Sequence, residues 1–212
     1  MVLLGIDPGS NITGYAFLQK DADGQVIRVL EFGAIKAKAS EELMERLGGI
    51  CAELEERIRI HKPTKLAMEA SFFAKNAKTA MVLGHARGAV MTLAFRYGMS
   101  FAELSPRSIK QMVTGSGAAS KERVASMMKL HLGLKSLPEP IDASDALAVA
   151  WCLLSPSPLQ NAITKQVRTQ STKKTPITYN TSEESTRRVA NAIPEGTDIQ
   201  ALLAHARKRK RR

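Results

Sequence analysis

Cysteine is scarce in this chain: Cys51 and Cys152 are the only two among 212 residues. Each sits among apolar residues at helical spacing, which predicts free thiols packed inside and excludes a disulfide framework. Histidine is nearly as sparse, at positions 61, 85, 131 and 205, with none of the spacings a zinc site uses. No stretch approaches the ~18 consecutive apolar residues of a membrane span. The N-terminal residues also lack a basic region leading into a long apolar run and a cleavage site. Together these absences predict a soluble protein of a reducing compartment, the cytoplasm. The length allows one domain with a full core plus an appendage.

What the chain has in excess is positive charge, +11 overall, which points to a polyanionic partner. Its distribution is uneven. Residues 155–212 carry 12 Lys and Arg against 4 Asp and Glu, whereas the first 154 carry 19 against 16. Ser155-Pro156-Ser157-Pro158 breaks the preceding apolar pattern, and the Thr, Ser and Lys-rich stretch beyond it has little to bury. We expect two regions: a folded domain over 1–154 and a basic, disordered C-terminal tail over 155–212.

Within 1–154 the pattern alternates strands and helices. Val2 to Ile6 is a short apolar run of the kind a doubly buried strand shows, and it ends at Asp7 before Pro8-Gly9-Ser10 breaks it. Thr13–Lys20 and Gln25–Lys36 read as strands joined by an Asp23-Gly24 turn. Ser40 is placed to cap a helix running to about Ile60. Leu66-Ala67-Met68 then repeats the first arrangement, a short strand running into an acid, Glu69. A helix rich in small residues spans Asn76–Tyr97, where core packing and a dimer contact both explain the small side chains, with packing slightly favoured. A strand over Met99–Leu104, helices over Pro106–Val113 and Ser120–Leu132, and a last helix over Asp142–Leu154 complete an α/β domain with a mixed sheet.

Four acids fall in matching settings. Asp7 and Glu69 end strands, while Asp142 and Asp145 lie three apart at the start of a helix that continues as an apolar run. Acids in a first helical turn are common for dipole reasons alone, and a turn or cap role would account for Asp7. If the last helix packs on the sheet, however, all four meet. Carboxylates crowded together stay partly protonated or bind a divalent cation, and hard oxygen donors favour Mg²⁺ or Mn²⁺. Two such ions about 4 Å apart support phosphodiester hydrolysis.

The ordered set Gly5-Ile6-Asp7-Pro8-Gly9-Ser10, Thr13-Gly14-Tyr15, Glu69 with Phe72-Phe73-Ala74-Lys75-Asn76-Ala77, Gly84-x-Ala86-Arg87-Gly88 and Asp142-x-x-Asp145-Ala146-Leu147-Ala148 closely resembles the RuvC family of Holliday junction resolvases. The resemblance covers about residues 1–154. It implies a ribonuclease H-like fold, a mixed five-stranded sheet flanked by helices, and a homodimer. It also implies Mg²⁺-dependent nicking of two opposed strands of a four-way DNA junction, in homologous recombination and DNA repair, with a branch-migration partner of the RuvA–RuvB kind. Carried over by motif, Asp7, Glu69, Asp142 and Asp145 are the catalytic, metal-binding residues of a site expected to take two ions, with Mn²⁺ able to substitute. Phe72, Lys110 and Lys121 match DNA-binding positions. Nothing in the family assigns the tail a role.

Three other readings stay open on the residues alone. An actin-like ATPase would need a second domain and a second Asp-x-Gly loop, which the chain lacks. A general or RNA-processing nuclease would use the same acids on another substrate. A non-catalytic nucleic-acid binder has no need of four acids around one point.

Overall fold

Residues 1–24, 26–70 and 76–155 are described by the computed structural model of the chain. The chain divides into two units, Met1–Ser171 and Thr172–Arg212, and every described residue belongs to the first. The basic tail expected over 155–212 therefore lies outside the described residues from 156 onward, as do Gln25 and the 71–75 segment that contains Phe72.

Strand β1 (Val2–Asp7) is buried at Leu3, Leu4, Gly5 and Ile6 because it is covered on both faces. It pairs antiparallel with β2 (Ile12–Lys20), which pairs antiparallel with β3 (Ile27–Lys36). On its other edge β1 runs parallel to β4 (Lys65–Glu69), and β4 parallel to β5 (Ser100–Leu104). The sheet order is β3-β2-β1-β4-β5, a mixed five-stranded sheet as expected.

Helices cover both faces. On one, α5 (Ile141–Leu154) packs with α3 (Pro106–Thr114) and α4 (Lys121–Leu132) over Leu3, Ala16, Leu18, Ala67 and Ala102. On the other, α1 (Leu43–His61) and α2 (Ala77–Arg96) pack over Leu4, Ile6, Phe17, Leu66 and Met68. The alternation of strand side chains between these clusters is the period-2 pattern of a sheet buried on both sides. Short caps place the helices that matter for the site. Ser105 and Ser120 each accept an N–H from the residue three further on, Ser108 and Arg123, and Pro106 occupies the first turn of α3.

Two expectations change. Helix α1 begins at Leu43 behind Glu42, with no side-chain cap, so Ser40 does not start it. Of the small residues of α2, Ala86 is buried as packing requires, but Gly84 and Gly88 are not core: a Cβ on either would meet nothing within 4 Å. Met81, Gly84, Gly88, Met91 and Phe95 instead form an exposed stripe, and Met81 and Phe95 are 65% and 63% exposed. Both cysteines are free, Cys152 buried as expected and Cys51 only partly so.

Candidate active site

Asp7 shares its face of β1 with Leu3, which packs in the α5 cluster, so its side chain points toward α5. Glu69 follows Ala67 on the same face of β4 by the same alternation. Two glycines let α5 come down onto these strands. A Cβ on Gly5 would stand 2.3 Å from the Ala146 carbonyl, and one on Gly14 would stand 2.0 Å from the Asp142 carbonyl. Gly14 is the register partner of Asp7. The first turn of α5 is thereby seated directly over the end of β1.

The outcome is a cavity of about 190 Å³ walled by Asp7, Glu69 and Asp145, with Lys110 from α3 and Lys121 from α4. Asp142, one turn back on α5, is off that wall, yet its charge acts on Asp7 and Lys121. Lys121 Nζ donates to Asp145 Oδ2 at 2.8 Å. A larger, open groove of about 620 Å³ adjoins through Pro106 and Lys110 and runs along Arg107, Gln111 and the Gly115–Ala118 loop. Arg107 escaped the sequence reading; the only signal was its place one helical turn before Lys110.

Electrostatics here is that of acids held too close together. Burial, then the charges of Asp145 and Glu69, push the Asp7 carboxyl up from 3.8 to about 7, with Lys121 opposing. Burial and Asp145 also raise Glu69, against Lys121, Lys110 and Arg87. The hydrogen bond to Asp145 raises Lys121 above the usual lysine value. Lys121 thus supplies some, but not all, of the positive charge the cluster lacks. The donors are hard carboxylate oxygens with negative charge to spare, which suits Mg²⁺ or Mn²⁺ rather than a soft-ligand metal. Among the described residues, no three His, Cys, Asp or Glu side chains stand close enough together to ligate one ion.

A 3-2-1-4-5 mixed sheet with acids at the ends of β1 and β4 and on the first turn of a covering helix defines the ribonuclease H-like class of nuclease folds. Within that class, the family described as crossover junction endodeoxyribonuclease RuvC matches residues 3–153. The crossover junction endodeoxyribonuclease RuvC of Chlorobaculum parvum is 46% identical over 155 residues, covering 73% of this chain and 82% of that protein. That of Chloroherpeton thalassium is 43% identical over 152 residues, covering 72% and 81%. The structure of Thermus thermophilus RuvC in complex with Holliday junction substrate is 35% identical, with a TM-score of 0.67, covering 80% of this chain and 97% of that one. The chain belongs to the RuvC family of crossover junction endodeoxyribonucleases.

Proposed function

We propose that this chain is a Holliday junction resolvase that nicks two opposed strands of a four-way DNA junction by divalent-metal-dependent phosphodiester hydrolysis. The observation that carries the reading is the cavity that joins Asp7, Glu69 and Asp145 to Lys110 and Lys121. Asp7, Glu69, Asp142 and Asp145 are the residues that would hold the metal, with Mg²⁺ expected in the cell and Mn²⁺ able to replace it. A divalent ion held there would supply Lewis-acid polarisation of a phosphate and of a water. Lys110 and Lys121 hold the phosphate that the acids would otherwise repel. Asp7 would hold a metal as its carboxylate, the form that ligates. Phe72, two residues into the chain beyond Ala70, is the side chain we assign to stacking on a junction base.

The partner of this chain is a second copy. A junction offers two equivalent strands, which a two-fold dimer matches. The Met81–Phe95 stripe on α2 is the face we assign to that contact, since its spacing of three and four residues lays apolar and glycine positions along one side. The basic residues of 155–212 add electrostatic affinity for DNA.

Cleavage of a synthetic four-way junction with Mg²⁺, set beside linear duplex and an RNA–DNA hybrid of the same sequence, tests the reading. Paired nicks at symmetric positions in the junction, with the other substrates left intact, are expected. Equal cutting of all three, or cutting of the hybrid alone, would replace it with a general or RNA-processing nuclease.

A further inference from the structure

Arg87 belongs to the Gly84-x-Ala86-Arg87-Gly88 stretch but points away from the exposed stripe, and only 16% of its side chain is exposed. Its Nη1 donates to the backbone carbonyl of Glu69 at 2.6 Å, and its Nη2 pairs with the Glu103 carboxylate on β5. One guanidinium therefore ties α2, the end of β4 and β5. Glu69 presents its carboxylate to the α5 side of the sheet, whereas α2 covers the opposite side. Arg87 grips the residue from behind.

The sequence explains why that carbonyl needs a donor. The parallel register of β1 with β4 ends at Ile6 opposite Met68. The next bond of that ladder would run from the N–H of residue 8 to the Glu69 carbonyl, and Pro8 has no N–H. The proline that breaks the strand after Asp7 leaves an acceptor open at Glu69, and Arg87 fills it. Past Glu69, the last ladder bond of β4 is Ala70 N–H to Leu104 carbonyl, 2.8 Å. A lysine would not span both acceptors as the planar fork of arginine does.

We infer that Arg87 is a positioning residue: by fixing the Glu69 peptide against β5 it sets the direction in which the Glu69 carboxylate enters the metal-binding cavity. This rests on the proposed role of Glu69. The full-length chain is compared with Arg87→Gln, Arg87→Lys and Glu103→Gln, following Mn²⁺ binding by calorimetry without DNA, single-turnover junction cleavage against Mg²⁺, and junction affinity in chelator. Arg87→Gln is expected to weaken Mn²⁺ binding and raise the Mg²⁺ needed for half-maximal cleavage by about 10–100-fold, with junction affinity in chelator unchanged. Arg87→Lys restores part of this, and Glu103→Gln shifts the same two readouts by less. Wild-type metal dependence in Arg87→Gln overturns the inference. Should that variant unfold, the other two decide: a metal shift in folded Glu103→Gln and Arg87→Lys supports the inference, and wild-type values in both overturn it. A weakened Mn²⁺ affinity in a chain that never cuts junctions would sink the resolvase reading and leave this one standing. Junction cutting with unaltered Mn²⁺ affinity does the reverse.

Discussion

Asp7 is a carboxyl whose folded state resists ionisation, and this has a measurable sign. Near pH 3.8 and below, folded and unfolded chains both hold the proton. Between there and about 7 the unfolded chain loses it while the folded chain keeps it. Metal-free stability attributable to Asp7 therefore falls as pH rises through that window. Urea denaturation in chelator at pH 5 and pH 8 checks this: Asp7→Asn should flatten the fall and stabilise the pH 8 protein by about 1–3 kcal/mol. Added Mn²⁺ should restore the wild type and do little for the variant. A variant no more stable than wild type at pH 8 would mean the carboxylates are less crowded than the structure places them.

At the scale of elements, glycine lets α5 approach the sheet closely and leaves α2 with an open face. Under α5, Gly14 is a close-approach residue. Gly14→Val forces a side chain onto the Asp142 carbonyl and should cost about 1–3 kcal/mol of stability, with cleavage falling further than junction binding. On α2, Gly84 faces open space, so Gly84→Arg introduces no clash within one chain and improves helix propensity by about 1 kcal/mol. If the stripe joins two copies, that variant should run at half the native mass in light scattering while melting no lower as a monomer. An unchanged dimer would remove α2 from the interface. The contrast also marks what the residues disclosed. Strand ends at Asp7 and Glu69 and the helix start at Asp142 were legible because apolar runs stop abruptly there. The exposure of Gly84 and Gly88 was not, because small residues in a helix suit a tight core at least as well as an exposed face. Gly5 and Gly14 stood in a motif, but only the descent of α5 explains them. Arg87 stood in a motif too, but its partner, a backbone carbonyl left open by Pro8, shows only in the fold.

For the whole molecule, the basic excess and the proposed metal-binding acids are separated along the chain. The body is nearly neutral and the basic excess sits past residue 154, so affinity and cutting should be separable by truncation. Removing 155–212 should flatten the salt dependence of junction binding, because fewer counterions are released, and leave the metal requirement of cleavage as it was. An unchanged slope would leave the tail without an electrostatic role. The central claim, that acids distant in the chain act together on a scissile phosphate, is tested most directly by Asp7→Asn on a four-way junction with saturating Mg²⁺. We expect cleavage to fall by about a thousandfold or more, about 4 kcal/mol of barrier, with junction binding intact. Cutting at the wild-type rate by that variant would contradict the account.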